Sequence, residues 1–298
     1  MARKPTIFKT DEGAQEYAEA YKDSLSLWPV PFESITVPTS YGIVHLIASG
    51  NEGAPPLILL HMGAMSATMW YPNVEKLSKD FRVLAVDILN DLGKSIPTRP
   101  TRTKQSNAAW MVELVNTLGV DKAFIVGASN GGWLAMNFLI QAPERVHSVA
   151  LLAPAGVLEP LSLRFYLTML PVAIFPKESV LLFCTKPMAS KDFVGDKRMA
   201  KQMLVGLRNR KMASSFDLAP PRPFSAKELC QIKSPVLLLF GELEMICNPH
   251  KALERARNTI PHIEAELIPK VGHGLSQEKP EIVNARLLNF FKRKEAFM

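Results

Sequence analysis

Short, uninterrupted apolar runs recur along this chain, and stretches with helical spacing fall between them. The runs are residues 56–60, 83–86, 123–126, 149–152 and 236–240. A run with no polar position on either face marks a strand buried on both sides, as in a parallel sheet covered by helices. Helical spacing occupies 69–79, 105–118, 131–141, 249–259 and 280–292. This alternation predicts a doubly wound α/β fold, a mostly parallel central sheet with helices on both faces. Before it lie an amphipathic segment at 13–25 and two strands, 34–37 and 42–48, around a turn at 38–41. The rhythm fails from about Gly156 to Ser225, where no buried strand is evident and Met, Phe, Leu and basic residues abound. The expectation is one domain over 1–298 carrying a helical insertion at 157–225. In such a fold an insertion at this point lies over the carboxyl ends of the strands, where ligands bind, and that position favours a lid over a purely stabilising excursion.

Composition narrows the class. A chain of 298 residues, 47% hydrophobic and 21% charged, can bury a sizeable core. No run approaches the ~18 apolar residues that suggest a membrane-spanning helix. Residues 1–6 hold Arg3 and Lys4, but no apolar stretch follows, so no signal peptide is expected. Three cysteines (Cys184, Cys230 and Cys247) form neither a disulfide framework nor a metal-ligand spacing, which fits a reducing cytoplasm and no bound metal. A net charge of +7 would suit nucleic acid or an anionic surface. The basic residues are scattered, however, with concentrations only at 197–211 and 292–294, and no nucleic-acid-binding module accompanies them.

The candidate chemistry centres on Gly127-Ala128-Ser129-Asn130-Gly131, placed between an apolar strand and a helix. Gly-x-Ser-x-Gly in that context predicts a nucleophile elbow, a sharp and strained turn that presents the serine hydroxyl. The flanking glycines would let the strand and helix backbones approach. Trp133 and Trp70 are expected in the core. Met169, Met188, Met199, Met203 and Met212 either line an adaptable apolar pocket or make helix-to-core contacts.

A serine hydroxyl needs a base, and the base needs an acid to fix its tautomer. In this fold the chain order is serine, acid, histidine. The strand at 236–240 runs into Gly241-Glu242-Leu243-Glu244. Glu244 is the expected acid, because three residues past the glycine the chain has turned clear of the strand; Glu242 is the alternative. His273 sits between Gly272 and Gly274, after a short strand at 265–268 and before the last helix, where the mechanism requires the base. His45, His147, His250 and His262 are expected to be structural or solvated. The oxyanion requires backbone donors. Asn130 N–H is one; Gly63, in the loop His61-Met62-Gly63 after the first apolar run, is the natural second, with Met62 the alternative. His61 itself is expected to be a structural hydrogen-bonder.

These residues resemble the α/β-hydrolase superfamily. Within it the chain is similar to bacterial carboxylesterases of the naproxen-esterase type, over nearly its whole length. Segments that carry the likeness include residues 24–30, 68–73 (Thr-Met-Trp-Tyr-Pro-Asn), 85–88, 94–97, 136–139 and 143–146. The resemblance implies a serine carboxylesterase with a Ser–Glu–His triad, a small-molecule ester as substrate, a helical cap over an apolar pocket and no cofactor. His61-Met62-Gly63 departs from the family's His-Gly, and the stretch 158–224 resembles the family least. Lactonases, thioesterases and carbon–carbon bond hydrolases keep the same triad, and a hydrolase-fold ligand sensor with little turnover is the alternative from another class.

Overall fold

The computed structural model describes residues 7–211 and 217–295; Met212 lies outside them, as do residues 1–6. Nine strands form one sheet among the described residues: β1 (Glu33–Thr39), β2 (Gly42–Ser49), β3 (Pro56–Leu60), β4 (Arg82–Val86), β5 (Ile96–Pro97), β6 (Ala123–Ala128), β7 (Val146–Leu152), β8 (Val236–Gly241) and β9 (Ile263–Ile268). Their order is β1-β2-β4-β3-β6-β7-β8-β9, with β5 beside β2. From β4 to β9 every pairing is parallel; β2 pairs antiparallel with β1, β4 and β5. The apolar runs supply the parallel strands β3, β4, β6, β7 and β8, of which β6 and β8 are buried at every position, while β9 is largely half-buried. Trp70 and Trp133 are buried, as the sequence suggests; Trp133 stacks on Phe224 and donates its indole N–H to the Arg222 carbonyl at 3.1 Å.

The helices are α1 (Asp11–Leu25), α2 (Tyr71–Leu77), α3 (Lys104–Thr117), α4 (Asn130–Gln141), α5 (Leu163–Ile174), α6 (Glu178–Thr185), α7 (Lys197–Asn209), α8 (Ala226–Leu229), α9 (Pro249–Thr259), α10 (Leu275–Glu278) and α11 (Pro280–Glu295). The expected helix at 69–79 is divided into a 3-10 turn, Ala67–Trp70, and α2. Pro72 is the reason: it has no N–H to continue a ladder from the preceding turn. The β1–β2 turn is tighter than expected, since pairing continues to Thr39 opposite Gly42. β5 and α10 are too short to leave a periodic signal.

Between β7 and β8 the described residues make α5, α6, a 3-10 turn (Lys186–Met188), α7 and α8. A small apolar cluster of Val172, Leu181, Cys184 and Leu204 holds α5, α6 and α7 together. α7 is anchored to the body by Gln202, a buried amide that bonds Tyr17 Oη, Ser66 Oγ and Thr68 Oγ1 at 3.0, 2.7 and 3.0 Å. Met199 joins the main core and Met203 and Met169 pack on these clusters, so these methionines make helix contacts, one of the two roles expected for them.

Candidate active site

Ser129 ends β6 and opens α4 with φ +50° and ψ −114°, a conformation that L-residues rarely adopt. The surrounding backbone holds it there. Its N–H donates to Leu152 O at 2.9 Å, and its carbonyl accepts from Gly132, Trp133 and Ala155 at 3.0, 3.2 and 3.0 Å. The glycines are required by close approach. A Cβ on Gly131 would press into the Leu60 and His61 carbonyls, and one on Gly127 into the Gly131 backbone. Ser129 Oγ makes no hydrogen bond with the described residues, and such contacts are often long in resting sites. β3 leads away to β4 on one side and β6 to β7 on the other, so Gly63 and Ser129 flank the crevice where strand order reverses.

Glu244 and His273 meet from separate loops. His273 Nδ1 lies 2.7 Å from Glu244 Oε2, both residues being buried. The other Glu244 oxygen accepts from Ile246 N–H at 2.7 Å. Glu242, the alternative acid, is exposed and accepts from Lys270 N–H at 2.8 Å instead. The histidine loop is tied to the insertion: His273 N–H donates to Met188 O at 2.7 Å, and Glu278 accepts from Gly272 N–H and Ser190 N–H. The insertion also reaches the acid loop, where Ser162 donates from N and Oγ to the Ile246 and Met245 carbonyls.

The loop after β3 distinguishes the two candidate donors. Met62 N–H is spent on Met69 Sδ at 3.3 Å, and Ala64 N–H on the Asp91 carboxylate. Gly63 N–H and Asn130 N–H have no acceptor among the described residues. A Cβ built on Gly63 would lie 3.6 Å from Asn130 Cβ, so the two backbones adjoin. His61 is buried and structural. Ile88 N–H donates to its Nε2 at 2.9 Å, which leaves the proton on Nδ1 to bond Met62 O at 2.7 Å. Sequence reasoning missed Asp91. It receives Arg210, from the end of α7, at 3.3 Å and so couples the insertion to this loop. A contact spanning 119 positions leaves no local pattern.

A second serine–histidine–carboxylate array exists. His45 bonds Ser34 Oγ through Nε2 at 2.7 Å and Asp87 Oδ2 through Nδ1 at 2.8 Å. Its geometry is that of a brace. Ser34 lies on a regular strand, not at a helix N-terminus. Asp87 also accepts from Ala67 and Lys94 amides at 2.8 and 2.9 Å, which fixes the loop that carries Gly63. Burial alone would raise the Asp87 carboxyl, but the His45 hydrogen bond and charge, His61 and the Ala67 amide together bring it below the ordinary value. Near the acid loop, burial pushes the Cys247 thiol up to about 12, aided by the charges of Glu244 and Glu159. No set of three or more His, Cys, Asp or Glu able to hold a metal occurs among the described residues.

The family model for the α/β hydrolase fold matches residues 55–176. An uncharacterized carboxylesterase, nap, of Bacillus subtilis (strain 168) is 41% identical over 95% of this chain and 94% of its own. Carboxylesterase YbfK of the same organism is 37% identical, over 95% and 96%. The crystal structure of naproxen esterase (carboxylesterase NP) from Bacillus subtilis superposes with a TM-score of 0.88 at 38% identity, covering 95% of this chain and 99% of that one.

Proposed function

The chain belongs to the α/β-hydrolase family and is a carboxylic ester hydrolase; from that premise we propose that Ser129, His273 and Glu244 are its catalytic triad. The observation that carries this reading is the buried His273–Glu244 contact at 2.7 Å on the same sheet edge as the strained Ser129. His273 Nε2 takes the Ser129 proton as Oγ attacks the acyl carbonyl. Glu244 holds Nδ1–H and stabilises the imidazolium. The Gly63 and Asn130 amides receive the oxyanion, and the N-terminal dipole of α4 adds to them. The imidazolium protonates the departing alcohol. A water then loses its proton to the same histidine, attacks the acyl-enzyme and releases the acid. No step uses a metal or cofactor.

The insertion, 157–225, acts as the cap of a single domain. Its ties to Met245, Ile246, His273 and Asp91 let it order the acid, base and oxyanion loops at once. The cysteines are free, which supports a reducing, cytoplasmic setting. Labelling with a serine-reactive fluorophosphonate followed by peptide mapping tests the assignment. The expected result is one adduct, on Ser129, and loss of p-nitrophenyl ester turnover in step with labelling. Full labelling elsewhere, with Ser129 unmodified, would overturn it.

A further inference from the structure

His273 stands between Gly272 and Gly274, so the segment that carries it has little stiffness of its own. Bonds from outside the segment supply the restraint. One residue, Glu278 at the end of α10, grips both neighbours of the histidine. Its N–H donates to Gly274 O at 2.9 Å, within the helical turn. Its carboxylate reaches back past His273 and accepts from Gly272 N–H, both oxygens lying at 3.2 Å. The same Oε2 also accepts from Ser190 N–H of the insertion at 2.8 Å. Two residues before Ser190, the Met188 carbonyl accepts from His273 N–H at 2.7 Å. Side chain, histidine segment and insertion thus close into a ring of hydrogen bonds. Backbone meets backbone there, since a Cβ on Gly272 would press into Met188 O and Ala189 Cα. Glu278 is half-buried and forms no ion pair among the described residues, so its carboxylate serves backbone amides.

We propose that Glu278 is a positioning residue for His273, holding it in line with Ser129 against the seated insertion; this role rests on the triad reading. Gly272 N–H lies one peptide from the histidine. Without its acceptor, the peptide before His273 is free to turn, and the imidazole moves with it. A misplacement of about 1 Å at a reacting group can cost about 100-fold in rate. The role is one of reach and not of charge, because a single oxygen, Oε2, contacts both amides. Glutamine keeps that oxygen and loses the charge. Aspartate keeps the charge but is one methylene too short to span both amides.

Steady-state kinetics on p-nitrophenyl butyrate tests it with Glu278→Ala, Glu278→Asp and Glu278→Gln, each rate referred to the folded fraction measured by circular dichroism. The alanine and aspartate variants should lose at least about tenfold in kcat with KM within about twofold, the pattern of an interaction that matters only in the transition state. Their rate of labelling by a fluorophosphonate should fall in step. The glutamine variant should stay within about threefold of the wild type. A purely structural role would lower the melting temperature and leave the kcat of the folded protein unchanged. Should Glu278→Ala fail to fold, the contrast between glutamine and aspartate decides. Wild-type kcat in folded Glu278→Ala or Glu278→Asp, or a tenfold loss in Glu278→Gln, would overturn the proposal. Inactive Ser129→Ala protein measured alongside would show that the triad reading survives that failure, whereas turnover by Ser129→Ala would remove both.

Discussion

Glu242 and Glu244 differ little as sequence, and their surroundings give them separate work. Glu244 is buried against His273, whereas Glu242 braces Lys270 from solvent. Glu244→Gln should therefore lower kcat by up to about 10^4-fold, because the amide favours the wrong imidazole tautomer. Glu242→Gln should leave kcat within about twofold, and steady-state kinetics on a p-nitrophenyl ester separates the two. Asp87 belongs to stability. Its folded-state carboxyl lies below the ordinary value, so it stabilises the fold above the ordinary carboxylate range, and that contribution is lost as pH falls through the depressed value. Asp87→Asn should cost about 1–3 kcal/mol near neutral pH and flatten the acid limb of melting temperature against pH. The thiols should also separate: buried Cys247, with its raised value, should resist iodoacetamide at neutral pH while exposed Cys230 alkylates, as peptide mass mapping would show. The strained turn at Ser129 and the contact of Glu244 with His273 are legible in the sequence because a strand-turn-helix signal and a fixed chain order point to them. Asp87 and Asp91 are not, since their partners are distant in sequence and their residue types are common.

Elements are legible where burial acts on every position. β3, β6 and β8 read directly because both faces are covered. The 3-10 turn before α2 is obscured by apolar residues at helical spacing; Pro72, in the first turn of α2, separates the two. The elbow is the element on which the site depends most. Gly131→Ala would drive a methyl group into the backbone carbonyls of Leu60 and His61, which belong to the neighbouring strand and the loop that carries Gly63. Overpacking of this kind costs about 1–3 kcal/mol. The cost should appear as a lower denaturation midpoint, together with a loss of kcat as the loop bearing Gly63 is displaced. An unchanged midpoint and unchanged kcat would mean that strand and helix do not approach as described.

Over the whole molecule, one edge of the sheet gathers what the sequence distributes. Ser129, Glu244 and His273 follow β6, β8 and β9, and the loop that carries Gly63 follows β3, all at carboxyl ends. The insertion is legible only as a break in rhythm. Its helices close against each other through a small cluster, and a buried amide, Gln202, ties α7 to the body, so no long apolar run announces them. Its charge excess lies in the basic run at 197–211, which holds six lysines and arginines and no acid. The role of the triad is decided by hydrolysis of p-nitrophenyl butyrate by purified Ser129→Ala protein, measured beside its melting curve. Turnover should fall by about 10^4-fold or more with an unaltered melting temperature. Wild-type-like turnover by the folded variant would contradict the role of Ser129 and, with it, the acyl-enzyme route.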